Sequence, residues 1–138
     1  MRRVLIVGAG KAGLAIASKA HDDGYAVSIV EAREEHVTEA RNRLRGVTVV
    51  MGSGTEADDL ETAGIRNAET VLAVTGSDEV NLVIATLAKF HFGSPHVAAR
   101  VADPRNRWLF KPDMGVDAAI DDTRLMVVEA VRLLAGHL

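Results

Sequence analysis

Gly8-Ala9-Gly10-Lys11-Ala12-Gly13 follows directly on the apolar run Val4-Leu5-Ile6-Val7 and opens a segment of helical pattern. Glycines at this spacing are suited to holding an anion. Gly8 permits a tight turn out of a strand. Gly10 lets the backbone approach a pyrophosphate where a Cβ would collide, and Gly13 lets the helix lie close on the sheet. The free N–H groups at the helix start then face the anion. Twelve glycines in 138 residues produce such spacings by chance, so the competing reading is a turn kept only for packing. Glu31 favours a ligand: it ends the second strand pattern about 20 residues on, where a carboxylate accepts hydrogen bonds from ribose hydroxyls. The same carboxylate repels a 2′-phosphate of charge ~−1.5 to −2, which favours NAD(H), ATP or ADP over NADP(H). Ala32 and Arg33 follow within the candidate site, and Arg33 either swings toward a phosphate or lies solvated in its loop.

Two further turns follow strand patterns. In Gly52-Ser53-Gly54-Thr55, Ser53 either reaches an adenosine or belongs to a turn that caps the next helix through Ser53 or Thr55. In Thr75-Gly76-Ser77-Asp78, leading to Asn81 one helical turn later, the polar groups would stand beside the pyrophosphate and the second ribose. Asp78 has an alternative role as a helix N-cap. Arg100 falls within a strand pattern, where an unpartnered charge is costly. It is either a core arginine paired with a carboxylate such as Asp78 or Asp103, or a strand-end arginine directed at a phosphate or a partner subunit. His21, His36, His91, His96 and His137 fall on helices, near helix ends, at a strand start or at the tail. None follows the carboxyl end of a strand, so each reads as a surface or helix-end residue rather than the proton-transfer group a dehydrogenase needs. With no cysteine in the chain, thiolate metal sites and cysteine nucleophiles are excluded, and neither a catalytic residue nor a metal site is assigned. Binding without turnover is the expectation; the alternative is a small NAD-dependent oxidoreductase or its detached cofactor-binding domain.

Such residues need a scaffold that gathers strand ends. Short apolar runs over 4–7, 25–30, 47–51, 70–75, 96–101 and 116–120 read as strands of a parallel sheet covered on both faces. Helical patterns over 11–23, 34–44, 55–63, 78–92 and 123–134 alternate with them, and Asp103-Pro104 opens a further helical stretch. This rhythm predicts an α/β fold: a doubly wound six-stranded parallel sheet in three α/β/α layers. One domain over 1–138 is expected, with a core over 1–121 and a closing helix within 122–138. Ligands of such sheets bind beyond the carboxyl ends of the strands, where strand order reverses.

Sixteen Lys and Arg against 19 Asp and Glu leave a net charge of −3, without the clustered basic face of a nucleic-acid binder. No apolar run reaches the ~18 residues of a membrane span, and Lys11 interrupts the N-terminal stretch too early for a signal peptide. A soluble protein of a reducing cytoplasm is expected. From Leu125 to Leu134 only Glu129 and Arg132 break an apolar run. An amphipathic surface helix carries a stripe, so this excess implies two buried faces, one on its own sheet and one on another protein surface. The alternative is a terminal helix with a broad core face. Trp108, Leu109 and Phe110 either join that interface or close the core.

The glycine turn, Glu31, Gly52-Ser53-Gly54-Thr55, Thr75-Gly76-Ser77-Asp78-Glu79-Val80-Asn81, Ala99-Arg100-Val101, Asp103-Pro104 and Met114-Gly115-Val116-Asp117 together resemble the N-terminal lobe of RCK/KTN domains. These are cytoplasmic regulators of Trk/Ktr potassium uptake and of some potassium channels. The resemblance covers essentially the whole chain and implies a Rossmann-like fold that binds NAD(H) or ATP/ADP. It carries nucleotide contacts onto Gly8, Gly10, Lys11, Ala12, Gly13, Glu31, Ser53, Thr75, Asp78 and Arg100; Gly76 and Asn81 belong to the same segment. Ser53 departs from the family, where an aspartate is frequent. The resemblance further implies a homodimer or ring formed through the helix over 123–134, beneath a membrane-embedded potassium pore subunit. The smaller C-terminal lobe common in the family is not found in this sequence.

Overall fold

Strand β1 (Arg3–Val7) shows how the sheet is built. Its side chains alternate between faces: Leu5 and Val7 enter one apolar cluster with Val71, Ile84 and Val97, and Ile6 enters another with Leu14, Ile29 and Val37. The computed structural model, which describes residues 2–136, carries this two-sided burial through the sheet. The other strands are β2 (Ala26–Glu31), β3 (Thr48–Met51), β4 (Thr70–Ala73), β5 (His96–Val101) and β6 (Ala118–Asp121). All neighbouring pairs are parallel, in the order β3-β2-β1-β4-β5-β6. Helices α1 (Lys11–Asp22) and α2 (Glu34–Arg43) cover the Ile6 face, while α3 (Ala57–Thr62) and α4 (Asp78–Thr86) cover the other. Fully burying one Leu, Ile or Val stabilises by ~1.5–3 kcal/mol, so both layers are held by side chains of the same strands.

Several segments differ from their sequence pattern for local reasons. The helix that starts at Asp78 is α-helical through Thr86 and continues as a π-helical turn over Leu87–His91. The segment over 55–63 shortens to α3, followed by a 3-10 turn at Ile65–Asn67. The stretch opened by Asp103 is a 3-10 helix, Pro104–Leu109, whose first turn is capped by the Asp103 carboxylate accepting from the Arg105 N–H at 3.0 Å. Val116 is buried in the core, but its N–H is turned back to the Lys111 carbonyl, so β6 begins only at Ala118. Phe110 closes the core, whereas Trp108 is 70% exposed.

The last helix, α5 (Asp122–Leu134), corrects an expectation. None of its residues is buried, so it lays no face on its own sheet. Asp121 is both the final residue of the edge strand and the N-cap, its carboxylate accepting from the Arg124 N–H at 3.0 Å. The helix therefore starts at the sheet margin and leaves Leu125, Met126, Val127, Val128, Val131 and Leu134 exposed. His137 lies outside the described residues.

Candidate functional site

Strand order reverses between β1 and β4, which are neighbours on the sheet although β2 and β3 separate them in the chain. Beyond their carboxyl ends lies a cleft of about 750 Å³. Its floor is the first turn. Gly8 holds φ +111° and donates its N–H to the Val30 carbonyl at 2.9 Å. A Cβ on Gly13 would stand 1.9 Å from the Gly8 carbonyl oxygen, so that glycine seats α1 against the turn. Gly10 is different: a Cβ there meets nothing within 4 Å and points into open space. No side chain caps α1 and its first turn holds no acidic residue. By contrast, α2 and α3 carry acidic residues in the first turn, and α4 and α5 have both these and a capping side chain. The N–H groups and positive dipole end of α1 are thus left for an external anion.

At one wall stands Glu31, 9% exposed at the end of β2. Oε1 accepts from the Ala9 N–H at 2.7 Å and Oε2 from the Arg33 N–H at 2.8 Å. His36 Nδ1, from the first turns of α2, lies 3.5 Å from Oε1. Burial works to raise the carboxyl pKa, but the two backbone donors and His36 overcome it and hold the group below the usual carboxylate range. Each oxygen keeps acceptor capacity for a hydroxyl. His36, read from sequence as a surface or helix-end residue, stands in the first turn of α2 and also lines this cleft and an adjoining hollow of about 810 Å³ between α1 and α2, where Lys11 and Arg43 stand too. The signal that could have found it is its place five residues after Glu31, at the start of the helix that folds back over β2.

The opposite wall comes from the turn after β4 and from β5. Thr75 and Gly76 face the cleft, as do Ser53, Ala32, Arg33 and Arg100. Two residues expected to touch a ligand stand behind the cleft instead. Asn81 is fully buried and clips strand ends together: Oδ1 accepts from the Thr75 N–H at 3.0 Å, and Nδ2 donates to the carbonyls of Thr75 and Arg100 at 3.1 and 3.0 Å. Asp78 accepts from the N–H groups of Ala102 and Asp103, at 2.6 and 3.0 Å, and from Asn106 Nδ2 at 2.9 Å, which ties the 3-10 helix to α4. It is not the N-cap either; Ser77 takes that place, accepting from the Val80 N–H. Gly13 likewise serves packing and does not line the cleft.

Ser53 caps no helix. Its N–H donates to Asp59 at 2.8 Å, and its hydroxyl lies 2.7 Å from that of Thr55. Arg100 pairs with neither Asp78 nor Asp103 but with Asp122, at 2.8 Å. The hydrogen bond to Asp122 is the leading cause that holds the guanidinium pKa up, and the same bond holds Asp122 down. Among the described residues, no cluster of three His, Asp or Glu side chains is arranged to hold a metal ion.

A family model described as the TrkA-N domain matches residues 4–122. The chain is 34% identical over 139 residues to the Trk system potassium uptake protein TrkA of Mycobacterium tuberculosis, an alignment covering 95% of this chain and 60% of that one. The chain therefore spans about three-fifths of that relative's length. Among solved structures, the TrkA-N domain of the inner membrane protein ybaL from Escherichia coli superposes with a TM-score of 0.86 at 20% identity, covering 96% of each chain. GsuK superposes in two ligand-bound forms. The ADP-bound form gives a TM-score of 0.79 at 20% identity, over 96% of this chain and 34% of that one. The NAD-bound channel gives 0.74 at 19%, over 86% and 21%. At these identities the structural likeness establishes a shared Rossmann-like fold.

Proposed function

The chain belongs to the TrkA-N domain family, and on that premise we propose that it is the nucleotide-binding lobe of a regulator of Trk/Ktr-type potassium uptake or of a potassium channel. It binds NAD(H), or alternatively ATP or ADP, and does not transform it. One observation carries this reading: the open, uncapped start of α1 above Gly10 lies beside a Glu31 carboxylate that is fixed in place and ionised. The cradle supplies backbone donors for phosphate, and Glu31 supplies acceptors for the ribose diol. Gly8, Gly10, Lys11, Ala12, Glu31, Ala32, Arg33, Ser53, Thr75, Gly76 and Arg100 form the contact surface, with Gly13, Asp78 and Asn81 shaping it from behind. Relatives named as potassium uptake proteins support the transport role, and the NAD- and ADP-bound forms of GsuK support the ligand class.

Binding without turnover is favoured by how the polar groups are used. Glu31 is held ionised and so is no proton donor near neutrality. Asp78 and Asn81 are committed to backbone groups. His36 stands at the ribose wall rather than at the β5 end, where a dinucleotide's second half would extend. The exposed apolar helix α5 pairs with a second copy, giving a dimer or a ring beneath a membrane-embedded pore subunit at the inner face of the membrane. No helix among the described residues is long and apolar enough to cross a membrane.

The test is a panel of NADH, NAD⁺, ATP and ADP read by thermal shift, since a ligand of the folded state raises stability by mass action. A rise with at least one nucleotide that Gly10→Ala abolishes is the expected result. No rise with any of them overturns the reading, and steady turnover of NADH with a carbonyl substrate replaces it with an oxidoreductase.

A further inference from the structure

Resting on the nucleotide reading above, we infer that Asp122 is a positioning residue of the cleft. It restrains Arg100, and a nucleotide with charge beyond its first phosphate draws that arginine away and loosens the base of α5. Arg100 lines the cleft, yet its guanidinium is committed to Asp122, with Nε at 3.2 Å and Nη2 at 2.8 Å from Oδ2. The pair is open to solvent, its side chains 29% and 50% exposed, and ion pairs of this kind are weak. A charge-assisted bond from arginine to phosphate inside a cleft is stronger. The Arg100 backbone stays put during such an exchange, because its carbonyl is held by Asn81 and its strand pairs with β4 and β6. Only the side chain has to move.

Asp122 is the first residue of α5, a helix with no buried residue. Its base is fastened to the body by the pairing of Val101 with Asp121, by Arg107 at 3.4 Å from Asp121, and by the Arg100–Asp122 pair. Of these three ties, the last has its cation in the cleft. Length selects the ligand. Glu31 ends β2 and Arg100 lies on β5, three strand steps away, roughly 14 Å at the usual strand spacing. A nucleoside monophosphate anchored at Glu31 and the first turn stops short, whereas a further phosphate extends toward Arg100. Linkage then requires reciprocity: a ligand that takes Arg100 from Asp122 must shift α5, and removing Asp122 must tighten that ligand.

The experiment titrates the full chain with ADP and with AMP by calorimetry, in the wild type, Asp122→Asn, and Asp122→Asn combined with Arg100→Gln. Hydrogen exchange over residues 122–126 is followed in the wild type with each nucleotide. Asp122→Asn should bind ADP about three- to fivefold tighter, the upper scale of a half-exposed ion pair, and AMP within about twofold of wild type. The double variant should lose the gain. ADP, and not AMP, should accelerate exchange at the start of α5. A merely structural Asp122 would predict unchanged or weaker ADP binding, and that result overturns the proposal. So does an equal gain for both nucleotides, or exchange that ADP leaves unmoved. If the folded wild type binds neither of these nor NADH, NAD⁺ or ATP, the nucleotide reading itself fails; if it binds ADP without a gain in Asp122→Asn, or binds NADH but not ADP, this proposal alone fails.

Discussion

Glu31 accepts two backbone N–H groups and, on the proposed reading, a ribose diol as well, so that one carboxylate would serve fold and ligand together. Its pKa is lowered in the folded state. The stability it contributes is therefore present above the ordinary carboxylate pKa and is lost as pH falls through the lower folded value. Glu31→Gln should be less stable than wild type by about 1–3 kcal/mol at pH 7, and urea melts of the two proteins should converge in acid as the wild-type carboxylate protonates. A gap that stays constant down to pH 2 would contradict this. On the proposed reading, the last two glycines of the first turn separate packing from binding. Gly13→Ala drives a Cβ into the Gly8 carbonyl and should cost at least ~1–3 kcal/mol by overpacking. Gly10→Ala meets empty space, so its melting temperature should match wild type while nucleotide affinity collapses.

At the scale of elements, α4 is the organiser. Through Asn81 it clips β4 to β5, and through Asp78 it holds the 3-10 helix at Pro104–Leu109. Asp78→Ala strands the Ala102 and Asp103 N–H groups, so a loss of about 1–3 kcal/mol in chemical denaturation is expected. Asp78→Asn should recover part of that loss, because its amide oxygen still accepts. Equal stability of Asp78→Ala and wild type would remove this latch. These elements also mark what the sequence could and could not reveal. The glycine turn and Glu31 were readable because local geometry dictates them: a turn with positive φ, a helix seated close, a strand end. The latches of Asp78 and Asn81 were not, since the partners of Asp78 lie 24 to 28 residues further on and Asn81 joins Thr75 just behind it to Arg100, 19 residues ahead, and no spacing rule connects them. Arg100 reads from sequence either as paired with a carboxylate such as Asp78 or Asp103 or as directed at a phosphate or a partner subunit; its partner Asp122 lies beyond the Pro104–Leu109 helix and strand β6, where no spacing rule points. His36 is the helix-end residue its pattern implies, but helical position alone does not tell which wall a side chain faces once α2 folds back.

For the whole molecule, a six-stranded parallel sheet covered on both faces followed from short apolar runs alternating with helical patterns, whereas the order of its strands and the placing of α5 did not. Whether an apolar helix covers its own sheet depends on where the preceding strand ends, and β6 ends at the margin. An apolar surface of this extent is the mark of an interaction site, and the proposed pairing of α5 with a second copy can be tested directly. Leu125→Glu or Val128→Glu should convert a dimer to a monomer in sedimentation, with the melting of the core nearly unchanged; a variant that still sediments as a dimer would exclude this helix from the contact. Trp108 offers a way to watch such events. It is the single tryptophan of the chain, largely open to water, and adjoins the Arg107 that grips Asp121. Its indole emission consequently originates from one place, so a blue shift, or protection from acrylamide quenching, would report contact at the foot of the terminal helix without any attached dye.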